Sequence, residues 1–332
     1  MVTAQAILGK KVLIRMDLDL PIEGGKVIDG FRLEMGFPTL RLCLEHAREV
    51  IVLGHIGRPG GRVVPALSVK PIWEFLELSG FGSELHLGKL KLLDNLRFEA
   101  GEDQCDAKYA KQLALLGEIF VNESFAAYHK SSSVTLLPKL LPSFAGLHFL
   151  KEVSALKQIR DNPKHPLLVI IGGAKIMDKL GVVKKLAGVA DNLLIGGKLP
   201  SEIKEQGLKL PDNVLVADMI EDGLDITPRT LNSWSEHIKK SKMIVWNGPM
   251  GKIETSVVSR QTSDNNKGTY ELAKMILKSK AEVIIGGGDT VGFLQTAGLL
   301  DQFMKKGLVS TGGGAMLKFL EDGTLPSIEA LN

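Results

Sequence analysis

Cysteine is almost absent: Cys43 and Cys105 are the only two in 332 residues, with neither CxxC spacing nor nearby paired histidines. That excludes a disulfide framework and a zinc site of the common kinds, and leaves two reduced structural residues. Charge of one sign is also scarce. Basic and acidic side chains number 41 and 38, a net charge of +3, with no block of five or six like charges. Nothing in this balance demands nucleic acid or an acidic membrane surface as a partner. Long apolar runs are missing too. Stretches such as Pro166 to Ile171 fall far short of the roughly 20 residues that span a bilayer, and the N-terminus has no signal-type segment, so a cytoplasmic protein is expected. Two nucleotide signatures are lacking. No Gly-Lys pair is followed by Ser or Thr, and no GxGxxG follows the first strand of either half, which counts against a P-loop enzyme and a nicotinamide dehydrogenase.

What the sequence does contain is a regular alternation. With 44% hydrophobic residues the chain can bury one large core or two ordinary ones. Short Val/Ile/Leu runs recur, each followed by glycine or polar residues and then by a helical pattern. Strands are expected at Lys11 to Leu18, Val50 to Gly54, Lys91 to Leu96 and Ile119 to Asn122 in the first half. In the second they are expected at Leu167 to Ile171, Asn192 to Ile195, Val214 to Ala217, Lys242 to Trp246, Glu282 to Ile285 and Leu308 to Ser310. Helical periodicity covers Glu34 to Ala47, Val69 to Leu78, Ala107 to Leu116, Lys179 to Ala187, Pro228 to Lys239, Asn266 to Lys278 and Ala315 to Leu320. Near-continuous apolar strands indicate sheets covered on both faces. The fold class is therefore α/β, with two doubly wound parallel-sheet domains. Leu147 to Arg160, ended by Asp161, Asn162 and Pro163, reads as the hinge helix between them. The domains are expected at 1–150 and 151–324, the second including the connecting helix.

Ligands of open parallel sheets bind beyond the carboxyl ends of the strands. In the second half these ends carry Gly172-Gly173-Ala174-Lys175, Gly196-Gly197-Lys198, Asn247-Gly248-Pro249-Met250-Gly251, Gly286-Gly287-Gly288-Asp289-Thr290 and Thr311-Gly312-Gly313-Gly314. Glycines admit close backbone approach, and helix starts offer N–H groups to phosphates. The first half ends its strands with Asp17 and Asp19, His55 and Arg58, Arg97, and Asn122, with Arg32 before a helix. Arginine forks there suit a small, strongly anionic ligand. A glycine-rich cradle in one half and a basic set in the other form a layout for phosphoryl transfer.

These residues resemble a known family, phosphoglycerate kinase. The similarity runs through seven motifs in order: Val12 to Pro21, Gly54 to Pro59, Leu93 to Phe98, Gly172 to Lys175 with Asp178-Lys179, Trp246 to Gly251, Gly286 to Thr290 and Ser310 to Ala315. The resemblance implies reversible transfer of an acyl phosphate from 1,3-bisphosphoglycerate to ADP, giving 3-phosphoglycerate and ATP, by a monomer with Mg²⁺ accompanying the nucleotide. It places the glycerate on the N-terminal domain, with residues 325–332 packing back there, and the nucleotide on the C-terminal one. Asp17, Asp19, Arg32, His55, Arg58, Arg97 and Lys130 would hold the glycerate and its phosphate. Gly173, Ala174, Lys175, Lys179, Asn247, Pro249, Glu254, Gly288, Asp289 and Thr290 would hold the nucleotide, with Asp289 on the metal and Glu254 on the ribose. Arg32, Lys175, Gly287 and Gly313 make up the implied catalytic set.

Three features depart from the family pattern. Asp19 stands where an asparagine is usual. In Tyr128-His129-Lys130-Ser131 either Lys130 or His129 replaces an arginine. Only 27 residues, 198 to 224, separate Gly197 from Asp225, where the family has a much longer stretch, and the segment between Pro65 and Leu93 is also short. Weaker or less base-selective nucleotide binding is expected from the shortening. The competing reading is a catalytically silent relative that binds a phosphorylated metabolite or a protein partner.

Overall fold

The computed structural model describes residues 1–252 and 267–331. Contacts divide the chain into two units, Met1–Val153 with Thr324–Asn332, and Ser154–Gly323.

Unit 1 is built on β1 (Lys11–Arg15), β2 (Glu49–Leu53), β3 (Leu90–Leu92), β4 (Ile119–Asn122) and β5 (Ser143–Ala145), all parallel, in the order β3-β2-β1-β4-β5. The pleat sends alternate residues to opposite faces. Val12, Ile14, Val50, Val52, Ile119 and Val121 enter one apolar cluster, while Leu13, Ile51, Leu53 and Phe120 enter another. Both faces are thus apolar, which explains the lack of strict alternation in the sequence. Helix α1 (Phe37–His46) covers the first cluster with Leu40, Cys43 and Leu44, joined there by Ile72 and Leu76 of α2 (Lys70–Leu76). Helix α3 (Ala107–Ala114) adds Leu113 to the second cluster, and its N-cap Asp106 accepts from Tyr109 N.

The structure shifts several expected boundaries. The first helix starts at Phe37 rather than Glu34, because Pro38 is tolerated only in a first turn. The residues before it form a separate one-turn helix, Phe31–Glu34. The expected strand at 91–96 stops at Leu92. Asp94 accepts from Val69 N and Asn95 N, Asn95 accepts from Arg97 N, and the chain turns into the 3₁₀ segment Leu96–Phe98.

Unit 2 holds β6 (Leu167–Ile171), β7 (Asn192–Ile195), β8 (Val214–Val216), β9 (Met243–Asn247), β10 (Glu282–Gly286) and β11 (Gly307–Val309), again all parallel, in the order β8-β7-β6-β9-β10-β11. The two units share helix α4 (Leu147–Asp161), in which Phe149, Val153, Leu156 and Ile159 are buried at helical spacing. Unit 2 then contributes α5 (Ile176–Ala187), α6 (Leu199–Glu205), α7 (Pro228–Lys240), α8 (Lys267–Lys278), α9 (Gly288–Thr296), α10 (Leu300–Lys306) and α11 (Gly313–Asp322). Helices α5 and α11 pack together, as do α7 and α8. After Gly323 the chain returns to unit 1, burying Leu325, Ser327 and Ala330 and laying the turn Pro326–Glu329 against Ser132–Leu136. No helix among the described residues is long and apolar enough to cross a membrane.

Phe120 sits fully buried in β4 between two strands. Truncation to Ala is expected to destabilise unit 1 by about 3–5 kcal/mol. Urea unfolding followed by a probe in unit 1 checks this, and a loss below about 1 kcal/mol would contradict the packing described.

Candidate active site

Polar side chains of unit 1 gather where β1, β2 and β4 end. Arg15, the last residue of β1, is only 2% exposed. Its Nε donates to Ser133 Oγ at 2.9 Å, and Ser133 Oγ in turn donates to Glu102 Oε1 at 2.5 Å. The other oxygen of buried Glu102 accepts from Ser133 N, and Ser131 Oγ donates to Oε1. A hydroxyl thus relays a carboxylate to a guanidinium that has left water. Burial pulls Arg15 below its ordinary pKa, and Glu102 and Asp17 oppose that pull. Arg15 Nη1, Asp17 Oδ2, Asn122 Nδ2 and Ser124 Oγ are all buried with no hydrogen-bond partner among the described residues. Leaving such groups unpaired is costly, so a cluster of them at strand ends marks a place prepared for a polar ligand.

His55 follows β2. Arg15 Nη2 lies 3.4 Å from its Nδ1. A guanidinium only donates, so Nδ1 accepts and the imidazole proton resides on Nε2. Burial, followed by the charges of Arg15, Arg97 and Arg58, pushes His55 down to about 2. The ring is therefore neutral at any physiological pH and offers one N–H donor. Asp17 moves the other way, up to about 6, chiefly by burial; Arg32 and Arg15 pull it down and Asp19 pushes it up.

Asp19 Oδ1 accepts from Gly57 N at 2.8 Å, and Gly57 O accepts from Arg97 Nη1 at 2.9 Å. Arg97 also pairs with Asp103 at 3.0 Å. The carboxylate at position 19 is therefore engaged in fixing the loop that carries His55 and Arg58. Arg32 is half-buried in the one-turn helix Phe31–Glu34 and reaches the group through its charge on Asp17, as Arg58 does through its charge on His55. Lys130 is not brought into this network. Both it and His129 are exposed, and the ring of His129 lies 4.1 Å from that of Tyr128. Arg15, Ser133 and Glu102 were not among the candidates read from the sequence. The one local signal was an arginine ending an otherwise apolar strand.

Beside this group lies a further buried carboxyl. Glu123, the residue after β4, accepts from Thr39 Oγ1 and from the backbone N–H groups of His148 and Phe149. Burial pushes it up to about 7 against these hydrogen bonds.

Unit 2 gathers glycines at its strand ends. Gly172 N donates to Asn247 O, Gly173 N to Pro249 O, Gly197 N to Met250 O and Lys198 N to Gly173 O, so three loops are stitched into one surface. Two close approaches require glycine. A Cβ on Gly248, whose φ is +93°, would lie 2.4 Å from Gly172, and one on Gly313 would lie 2.3 Å from the Cα of Gly287. The second contact brings the N-termini of α9 and α11 side by side, so their free N–H groups and dipoles reinforce each other toward an anion. Thr290 is buried and accepts from Gly248 N, and Asn247 Nδ2 donates to Gly313 O. Asp289 is exposed in the first turn of α9.

Lys175 is exposed and holds a left-handed backbone, φ +64°, just ahead of α5. A non-glycine residue there stores strain. Lys179 is half-buried, and its ammonium donates to Gly172 O and Ala174 O. Glu202 of α6 accepts from Lys175 N at 2.9 Å and Ile176 N at 2.5 Å, so α5 is capped by a carboxylate from within the chain. Glu202, too, went unnoticed in the sequence. Glu254, read as a ribose contact, lies outside the described residues. Among the described residues no three His, Cys, Asp or Glu side chains form a group able to hold a metal alone.

The family model for phosphoglycerate kinase matches residues 2–222 and 204–323. A phosphoglycerate kinase of Leptospira biflexa is 34% identical over an alignment of 392 residues that covers 98% of this chain and 96% of the relative. That alignment is 60 positions longer than the chain, and the family match comes in two segments that overlap over 204–222, the stretch around α6 and β8. Among solved structures, the phosphoglycerate kinase of Coxiella burnetii is 28% identical with a TM-score of 0.80, and that of Pyrococcus horikoshii 25% identical with a TM-score of 0.77. Each comparison covers 98% of this chain and 96% of the other.

The raised and lowered groups predict opposite pH signatures. Asp17 and Glu123 bind protons more tightly folded than unfolded, so their ionisation costs stability as pH rises through about 6 to 7; the cost is absent below about 4. His55 binds its proton less tightly when folded, so its contribution is lost as pH falls below about 6.5. Relative to wild type, Asp17→Asn and Glu123→Gln are expected to gain Tm between pH 5 and 8, whereas His55→Asn gains as pH drops from 7 to 5. Thermal melts across that range decide it, and parallel curves for all three would refute these environments.

Proposed function

The chain belongs to the phosphoglycerate kinase family and is a phosphotransferase with a carboxyl group as acceptor, and on that premise we propose how its two units divide the work. Unit 1 binds 3-phosphoglycerate or 1,3-bisphosphoglycerate. The observation that carries this is the buried Arg15 guanidinium with an unpaired Nη1 beside the neutral His55 and the free oxygen of Asp17. Arg15, Arg32, Arg58 and Arg97 supply positive charge, His55 a neutral donor from Nε2, and Asp17 an acceptor for a substrate hydroxyl. Lys130, standing in solvent, would contribute at most a long-range charge.

Unit 2 binds MgADP or MgATP. The paired N-termini of α9 and α11 receive phosphate oxygens, with Gly287, Gly288, Thr290 and Gly313 shaping the backbone there. Gly173, Ala174, Asn247 and Pro249 line the surface leading to it, and Glu254 is kept as a proposed ribose contact. Lys175 and Lys179 add charge; Lys179 must exchange its two carbonyl partners for a phosphate. A lone exposed carboxylate suits Mg²⁺, which keeps most of its ligands as phosphate oxygens and water, so Asp289 would hold the ion that arrives with the nucleotide. That ion supplies charge neutralisation on the phosphates.

In the reaction a β-phosphate oxygen of ADP attacks the phosphorus of the acyl phosphate. The bond to the carboxyl oxygen breaks with its electron pair, leaving the glycerate carboxylate. No covalent enzyme intermediate is needed. Catalysis rests on positioning and on positive charge around the equatorial oxygens, supplied by Arg32, Lys175 and the helix N–H groups. A monomer working in the cytoplasm is part of this proposal. The 60 extra positions of the relative's alignment and the two-segment family match that overlaps over 204–222 favour a second reading, a silent relative that binds the glycerate phosphate without nucleotide.

The test couples 3-phosphoglycerate and MgATP consumption to NADH oxidation through added glyceraldehyde-phosphate dehydrogenase. Wild type is expected to turn over, and Arg32→Ala and Lys175→Ala to lose at least about a hundredfold in kcat with unchanged melting. Arg15→Met should raise the KM for 3-phosphoglycerate at least tenfold and leave that for MgATP alone. A folded wild type inactive at millimolar substrates, with calorimetric binding of 3-phosphoglycerate only, would establish the silent reading.

A further inference from the structure

Glu123 has a place in the fold that neither ligand site explains. It follows Asn122, whose Nδ2 is one of the unpaired atoms at the anion site. Its own side chain turns to the start of α4. The carboxylate accepts from Thr39 Oγ1 at 2.7 Å, His148 N at 3.0 Å and Phe149 N at 3.2 Å, while Thr39 Oγ1 accepts from Leu147 N at 2.9 Å. Three leading N–H groups of α4 are therefore satisfied by side chains from α1 and the end of β4. Gly146 N also donates to Asn122 O at 2.8 Å. Any Cβ on Gly146 would come within 1.8 Å of Glu123 Oε2, so the glycine lets the carboxylate lie against the helix start.

An ordinary N-cap uses a Ser, Thr, Asp or Asn just before the helix. Here the cap lies 25 and 26 residues upstream of the N–H groups it meets, just beyond the strand that ends at the anion site. The capped helix is the one both units share, passing from Val153 to Ser154. We propose that Glu123 is a positioning residue for phosphoryl transfer, its carboxylate fixing the direction in which α4 leaves unit 1 and tying that direction to the end of β4. The proposal rests on the kinase reading above. Transfer between substrates held on different units requires that they be brought together, and a helix start pinned at three N–H groups holds the shared helix at one angle to the end of β4. A plain helix cap would affect stability alone.

The experiment uses the full chain in the coupled assay, with calorimetry of each substrate added singly. Glu123→Ala is expected to lower kcat at least tenfold, while Kd values for 3-phosphoglycerate alone and MgADP alone stay within twofold, since each involves one unit. Glu123→Gln keeps one acceptor oxygen at the same reach and should recover part of the lost kcat. Unchanged kcat in a folded Glu123→Ala variant overturns the proposal, as does a loss of kcat matched by lost binding of 3-phosphoglycerate. Should Glu123→Ala fail to fold, Thr39→Val removes both the acceptor for Leu147 N and the hydroxyl that donates to Glu123; it should lower kcat about threefold at unchanged Kd, and an unchanged kcat there overturns the proposal equally. An inactive wild type would remove the kinase reading and this role together, whereas an active wild type with indifferent variants removes only the role of Glu123.

Discussion

Parallel strands buried on both faces leave almost no room for polar side chains along their length. In unit 1, Val12 to Ile14 of β1 lie wholly in apolar surroundings, and the first buried charge is Arg15 at the strand's last position. Everything chemical follows from that constraint. The strands end together because their registers align, so the residues just beyond them collect at one edge of the sheet. Unit 2 obeys the same rule with a different vocabulary. Its strand ends carry glycine, and the helices that follow supply N–H groups in place of guanidinium forks.

The two solutions carry different electrostatic costs. Backbone N–H groups at a helix start are neutral and need no counter-charge, so unit 2 can present an anion site with few buried ions. A buried arginine needs support. Glu102, acting through Ser133, gives Arg15 a partner on one side without occupying its other nitrogens. Burial, reinforced by the same cationic surroundings, holds His55 neutral. A charged imidazole would add attraction, yet a neutral one keeps a fixed donor whose state does not change with the medium.

The fold was largely legible from the sequence because apolar runs, glycine-rich strand ends and helical spacing are local signals. The strands at 119–122, 167–171 and 192–195 fall where the pattern put them. Local signals also mark Asp17, His55, Arg97 and the glycines of unit 2, whose neighbours in sequence form their loops. What escaped depends on partners far along the chain. Arg15 meets Ser133 across 118 positions, Thr39 meets Glu123 across 84, and Glu202 reaches the start of α5 across 27. Nothing in the residues around Glu123 distinguishes it from a surface glutamate. Only the fold, by bringing α1, β4 and α4 together, gives its carboxylate something to hold.

The return of the chain to unit 1 after Gly323 has a consequence for biosynthesis. Leu325, Ser327 and Ala330 are buried in a unit whose other residues end at Val153, and their segment packs on Ser132–Leu136. During translation the five-stranded sheet of unit 1 emerges before unit 2, but it stays without this later piece until the whole of unit 2 has been made. Unit 2 is continuous in the chain and needs no later segment. Unit 1 is thus begun before unit 2 and completed after it, and the nascent chain carries an incomplete unit 1 while unit 2 acquires all of its strands.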